Sequence, residues 1–327
     1  MPVGMDDIAD LIVQEKGPPF VKTIKSDTFL LSRLNEKGMV REGRPNLGWK
    51  VNYAGNEAVG SYGEGDAATT SGKQSVKHAT LAYKSVRGQV GMSGIALATS
   101  EAGGTIVDDL LFELDGTMRD MRKAIDTQLL GDGTGNDGKD ISGILAGVAD
   151  TGTYAGMDAG ADTWWKSYVL ENGGEPRNLT EALISTALDE VLERGANRRT
   201  LEIWAAPKHW RQYGDLLRGE RRQTATTLTG GYQALDFEGV PVIQVPGYLT
   251  GRMDAVDVSQ IDYNMLPVTA NTPLARELRA VRAFPGVPGF GILLLGAAKD
   301  ALEMWLIHYA QLRVLNPYVM ASIQDLA

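Results

Sequence analysis

Residues 105–145 read TIVDDLLFELDGTMRDMRKAIDTQLLGDGTGNDGKDISGIL, and the reading of this stretch decides the fold. Ile106, Leu110, Leu114, Met118, Met121, Ile125 and Leu129 recur at steps of three and four, one apolar stripe on a helical period. The spacing predicts a helix over 105–130. Thr105 is placed to cap it, with Asp108 three residues on in an approximate capping box. Asp108 and Asp109 put negative charge in the first turn, where the helix dipole favours it. Asp115 and Arg119 form an i,i+4 pair on the polar face. Gly116 is the weak point, costing about 1 kcal/mol against Ala. Gly131 supplies the stop. Such a helix is about 37 Å long, and it needs another element or another chain along that length to cover its stripe.

Gly133, Gly135 and Gly138 spell G-x-G-x-x-G. A dinucleotide fingerprint requires a strand before the loop and a helix after it, so that phosphate meets a helix N-terminus. Here a helix precedes the loop, which therefore sits at the negative end of a dipole. A calcium loop fails as well. Asp132, Thr134 and Asn136 start plausibly, but Asp137 stands where Gly is required and Gly143 where Glu is required. A turn that reverses the chain is the better reading.

The chain has 327 residues, 43% of them hydrophobic, enough for a sizeable core in one or two domains. The 39 glycines point to many turns. With no cysteine there is no disulfide and no thiolate ligand or nucleophile. Acidic residues Asp6, Asp7 and Asp10 argue against a signal peptide, and no apolar run reaches the roughly 18 residues a membrane span needs. A net charge of −9 argues against broad, sequence-independent nucleic-acid binding.

Residues 1–40 read as an arm with two short amphipathic helices, one around Ile8–Ile12 ended by Gly17-Pro18-Pro19, the other within Ser26–Lys37. Leu47–Ala54 and Val76–Val90 read as strands. The Gly-, Ser- and Thr-rich segment from Gly55 to Ser75 between them is too long for a structureless loop inside a compact domain. It reads as the tip of a projecting two-stranded ribbon, which is marginal alone and implies a partner surface. Trp164 and Trp165 are adjacent and cannot both face one core from a strand; one is expected inward and the other against a neighbouring element or subunit, with core packing of both as the alternative. Leu179–Arg194 is a predicted helix, Thr200–Ala206 a strand, and Pro207 opens a helix over Lys208–Leu217. Arg218 to Gly231, with Arg221 and Arg222, reads as a polar loop. Phe237–Val245 and Ala255–Tyr263 read as strands, so Leu179 to Leu266 forms an α/β unit. Leu302–Leu315 is a strand buried on both faces, the expected cover for the long helix, which would make the α/β unit an insertion.

Chemistry is scarce. His78, His209 and His308 have no second His at i+3 or i+4, and no H-E-x-x-H occurs. Gly91-Met92-Ser93-Gly94 falls short of G-x-S-x-G because Ile95 follows. Scattered carboxylates leave no readable acid/base pair. No catalytic, cofactor or metal residue is expected.

The ordered parts resemble the major capsid protein of tailed double-stranded DNA phages, the Hong Kong 97-type fold. Gly131-Asp132-Gly133-Thr134-Gly135 with Gly143-Ile144-Leu145 is similar to that family's turn after its spine helix. Leu312-Arg313-Val314-Leu315-Asn316-Pro317-Tyr318 resembles its closing strand. Tyr154-Ala155-Gly156-Met157-Asp158 with Trp164-Trp165, and Phe237-Glu238-Gly239-Val240-Pro241-Val242, are like segments in one branch of these proteins. The resemblance implies an α+β fold: an N-terminal arm at 1–40, an extended E-loop at 41–95, a peripheral domain at 96–175 with its spine at 105–130, an axial domain at 176–290 and a return at 291–327. It implies self-assembly as hexamers and pentamers into an icosahedral virion shell around packaged DNA, built in the host cytoplasm. Implied partners are a scaffolding protein, a portal and a decoration protein, with no membrane and no cofactor. Gly55, Tyr62, Glu64, Asp66, Lys73 and Lys77 on the ribbon, and Arg218, Arg221 and Arg222 in the axial loop, become candidate inter-subunit contacts. Some relatives crosslink a ribbon lysine to a neighbour's asparagine; Lys73 and Lys77 lie in that region, but nothing in the sequence completes such a site. Two alternatives stand beside this reading: an encapsulin-type shell with the same fold, and a nucleotide-dependent enzyme using Gly133–Gly138.

Overall fold

The computed structural model describes residues 28–56, 58–67, 72–103, 106–220, 225–227, 233–267, 281–283, 290–295 and 301–327. The expected helix around Ile8–Ile12 and the Thr105 cap lie outside them. The long helix forms over Ile106–Leu129. From Leu114 onward its stripe faces a core, with Leu114, Met118, Ile125 and Leu129 fully buried. A further helix, Gly94–Gly103, immediately precedes it and was not legible in the sequence pattern.

The strands in chain order are β1 (Val40–Glu42), β2 (Trp49–Ala54), β3 (Ser75–Ala79), β4 (Lys84–Ser93), β5 (Thr153–Tyr154), β6 (Met157–Asp158), β7 (Tyr168–Leu170), β8 (Leu201–Ala205), β9 (Ala225–Thr227), β10 (Gln233–Phe237), β11 (Val240–Gln244), β12 (Met253–Asp257), β13 (Ile261–Met265), β14 (Val281–Ala283), β15 (Phe290–Leu295), β16 (Ala301–Val314) and β17 (Ala321–Ile323). One sheet has the order β1-β13-β16-β15-β14, with β4 also paired to β16. A second runs β7-β17-β12-β8-β11-β10-β9, and β2 and β3 form a ribbon of their own.

The strand expected to cover the spine, Leu302–Leu315, corresponds to β16, which is buried on both faces from Leu306 to Val314 apart from half-buried Tyr309. The spine nevertheless rests chiefly on β4, the strand returning from the ribbon. Gly88 makes this possible. A side chain there would meet Thr117 Cγ2 at 2.7 Å and Met121 Sδ at 3.6 Å. β16 lies beside β4 and contributes Met304, Leu306 and Leu312 to the same core.

The arm contributes a helix over Phe29–Glu36. Thr28 at its N-cap makes no side-chain cap. Instead the backbone N–H groups of Phe29, Leu30 and Leu31 donate to the Asp126 carboxylate of the spine at 3.2, 3.0 and 3.1 Å. Burial pushes the Asp126 carboxyl up from its usual range, and the three N–H groups pull it back. On the other side Arg33 donates to Glu202 of β8, with Nη2 at 2.5 Å, and Glu202 also accepts from Trp204 Nε1. One short helix thus ties spine to second sheet.

The glycine segment is a reversal. Gly133 is left-handed at φ +80°, and Asn136 and Asp137 follow at φ 50° and 56°. Leu145 N–H donates back to Gly131 O at 3.1 Å. A Cβ on Gly143 would strike the carbonyl oxygens of Gln128, Leu129 and Gly131. The last spine carbonyls therefore point at this turn, which is a poor environment for phosphate. That argues against the nucleotide reading of Gly133–Gly138. Because three fixed backbone oxygens cannot move aside, Gly143→Ala is expected to destabilise the subunit by about 2–4 kcal/mol. A urea midpoint equal to the parent's would refute this account.

Around the second sheet, Thr180 caps the helix Glu181–Glu193 by accepting from Leu183 N–H. The helix opened by Pro207 runs to Glu220, so Arg218 lies in its last turn and not in a loop. Three expected strands are broken. Val76–Val90 divides after Ala79 into β3, which stays in the ribbon, and β4, which joins the first sheet. The expected Phe237–Val245 begins inside a hairpin: β10 ends at Phe237, the chain turns at Glu238-Gly239 with φ 51° and 84°, the paired left-handed residues of a tight primed turn, and β11 runs on from Val240 to Gln244. Ala255–Tyr263 is split where Asp257 caps the short turn Val258–Gln260, and the chain crosses from one sheet to the other. The sheets also divide the chain differently from the expected 176–290 and 291–327 spans. β7 and β17 join the second sheet from outside, while β14 and β15 pair in the first.

His209 is buried and structural. Gly251 N–H donates to its Nε2 at 2.7 Å, so the ring is neutral and Nδ1–H donates to Gln212 Oε1, also at 2.7 Å. Burial holds its pKa below the ordinary imidazole value. Unfolded, the ring is protonated at a higher pH than when folded. Its stabilisation is therefore full above the unfolded value and is lost as pH falls toward the folded one. The melting temperature should drop as pH goes below about 6.5, and His209→Gln should flatten that limb. Superimposable pH profiles for the two proteins would clear His209 of the effect.

Candidate assembly interface

The ribbon grows out of the first sheet's core. Leu47 and Ala79 are buried at its root, and Trp49 is half-buried. Trp49 Nε1–H donates to Leu315 O at 3.0 Å, and its ring lies over the Arg313 guanidinium at 5.4 Å. Arg313 in turn pairs with buried Asp262 at 2.6 Å, which also takes Arg41 of β1 at 3.0 Å. The ribbon base is therefore set on a fixed charged platform.

One turn further out, the β2–β3 register shifts between Asn52 and Ala54. Bulges re-aim a side chain, and here Tyr53 stacks on Trp164, with ring centroids 4.8 Å apart and planes at 20°. Lys77 Nζ lies 5.5 Å from the Trp164 ring centroid and pairs with Asp162 at 2.5 Å. Trp165 points the other way. It is buried and donates its indole N–H to Tyr154 O at 3.2 Å. The two tryptophans divide their work as expected, one in the core and one against the ribbon.

Beyond the clamp the ribbon is exposed. Gly55 has open space where a side chain would stand. A tight turn forms where Asp66 N–H donates to Gly63 O at 3.1 Å and Gly63 N–H donates to Asp66 Oδ2 at 2.6 Å. Val59 and Tyr62 are 80% and 87% exposed. A tyrosine and a valine set in water on a projecting element lose their hydration cost only against another surface.

The candidate contact residues thus fall into three groups. Gly55, Tyr62, Glu64, Asp66 and Lys73 lie together on the exposed outer ribbon. Lys77, also exposed, pairs with Asp162 and lies beside the Tyr53 and Trp164 rings of its own subunit. Arg218 sits in a helix far from the ribbon in sequence, and Arg221 and Arg222 lie outside the described residues. Sequence reasoning missed Trp49, Tyr53 and Trp164 as a set, because the bulge that gathers them has no sequence signature. They wall a cleft of about 620 Å³ at the ribbon base, with Lys50, Gln260, Asn316 and Tyr318 among its other walls. No helix among the described residues is long and apolar enough to cross a membrane.

The profile of the family described as SU10 major capsid protein matches residues 21–281. Among solved structures, the capsid asymmetric unit of Cyanophage A-1(L) is similar at TM-score 0.69 and 18% identity, over 88% of this chain and 90% of that one. The holo-SrpI encapsulin complex from Synechococcus elongatus PCC 7942 is similar at TM-score 0.55 and 14% identity, over 89% and 86%. The capsid of Myoviridae Phage XM1 is similar at TM-score 0.51 and 12% identity, over 90% and 92%. At such identities these likenesses speak for the fold. No curated protein sequence matches the chain.

Proposed function

The chain belongs to the SU10 major capsid protein family, and from that premise we propose how it builds a shell. It is a phage major capsid protein with the Hong Kong 97-type α+β fold, and it self-associates into the capsid of the virion. Its subunits close as hexamers and pentamers, each ribbon lying over a neighbour. The observation that carries this reading is the ribbon itself: clamped at its base and presenting Val59 and Tyr62 to solvent on an otherwise polar tip, it is built to hold a partner at a fixed angle. The protein works as structure, without catalysis. The spine, first sheet and ribbon form the peripheral part, and the second sheet forms the axial part. A scaffolding protein, a portal and a decoration protein are its expected partners. Packaged DNA lies inside without sequence-specific contact, and assembly takes place in the host cytoplasm. The encapsulin reading shares the fold, and the family match favours the phage capsid.

Expression of the chain alone or with its neighbouring phage genes, followed by electron microscopy, tests this directly. Closed particles of one diameter are expected. A monodisperse 35 kDa monomer with no particles under either condition would overturn it.

A further inference from the structure

We propose that the aromatic cleft at the ribbon base is the socket for the ribbon tip of a second copy of the chain. The inference rests on the shell reading and names the contact that reading leaves open. One chain carries both halves. The tip presents Val59 and Tyr62 to solvent, with Glu64 and Asp66 exposed beside them. The base offers Trp49, Tyr53, Trp164 and Tyr318 as walls and exposed Lys50 at the rim. At about 620 Å³ the cleft falls in the range that holds a side-chain cluster or small ligand, roughly 300–1,000 Å³.

Charge favours a tip as occupant. The tip turn bears two carboxylates. At the socket, Lys50 stands at the mouth, and the Arg313 guanidinium lies behind the Trp49 ring. Lys77 is neutralised by Asp162, so Lys50 is the cation that selects. A chain cannot fill its own socket while its tip stands exposed, as it does here. Two copies exchanging tips reciprocally would stop at a dimer, so the ring that the shell reading calls for needs the tip of one copy in the base of the next. A heterologous contact of this kind either closes into a ring or runs on as a filament. The Tyr53–Trp164 stack and the Lys77–Asp162 pair fix the angle between ribbon and socket, and that angle decides between the two. The socket thus supplies what a capsomer needs, a directional contact repeated around an axis.

The chain has no native cysteine, so introduced thiols are the only ones present. Ser61→Cys and Asn52→Cys change two exposed positions, one at the tip beside Tyr62 and one at the base, and leave Val59 and Tyr62 in place. Assembled particles of the double variant, treated with a flexible bismaleimide, should give a ladder of covalent oligomers up to pentamer and hexamer. Each single variant should give none beyond dimer. Independently, Lys50→Glu should cut particle yield roughly tenfold through like-charge contact, and adding Glu64→Lys, which leaves the Asp66–Gly63 turn intact, should restore it. Intact particles with only monomer bands, or undiminished yield from Lys50→Glu, overturn the socket. If the unmodified chain forms no particles under any condition, the shell reading itself fails and the socket with it.

Discussion

Replacing residues 55–74 with Asn-Gly yields a folded subunit that no longer forms closed shells. Ala54 pairs with Ser75 in the ribbon, and a two-residue Asn-Gly loop joins such a pair in the favoured hairpin geometry. The ribbon residues that reach the core, Leu47, Trp49, Val51 and Ala79, all lie outside the replaced segment. The Tyr53–Trp164 stack and the Lys77–Asp162 pair also survive. Melting of the unassembled subunit should therefore stay within about 3 °C of the parent, as for other exposed changes. Assembly is another matter. The replacement removes Val59 and Tyr62, the most exposed large apolar groups of the ribbon, together with the Glu64 and Asp66 turn. Closed particles should fall below detection in electron micrographs. Shells of normal diameter and yield would show that the tip holds nothing.

Leu114→Asp should act on the fold instead of the assembly. Leu114 is fully buried on the spine face that rests on β4. The substitution loses the buried leucine, about 2 kcal/mol or more, and sets a carboxylate among apolar neighbours. Protonation limits the cost, yet the total should reach about 4–5 kcal/mol. A domain commonly has only about 5–15 kcal/mol to lose, so most of the chain should be recovered aggregated, and any soluble fraction should unfold at much lower urea. An unchanged urea midpoint would mean the stripe is not the core-facing side. The contrast between the two variants is diagnostic. One separates assembly from folding, and the other shows that the spine cannot be altered without losing both.

The spine was legible because its signal is dense and local: seven apolar residues on one period, acids in the first turn, glycine at the stop. The ribbon was legible in the negative, as a polar segment too long for a loop. The two tryptophans announced a division of faces, which the structure realises on a turn closed by Trp165 N–H to Asp162 O and not on a strand. Other features left no such trace. The turn at Glu238-Gly239 was missed because Glu is an uncommon left-handed residue and the signal rests on Gly239 alone. The crossing at Val258–Gln260 is hidden because both flanking strands are equally buried.

Sequence by itself determined the elements whose cause is local: the period of the spine, its stop, the amphipathic helices and the exposed polar ribbon. Tertiary structure alone decided what those elements meet. The arm helix takes its N-terminal cap from Asp126, 97 residues away from Phe29, a partner no local pattern encodes. The spine's cover proved to be β4, because Gly88 lets backbone approach where a side chain would collide. The socket exists because a bulge turns Tyr53 onto Trp164, over 100 residues away in the chain. Periodicity is written in neighbouring residues, whereas caps, close approaches and clefts are properties of distant pairs, and these form only when the whole chain has packed.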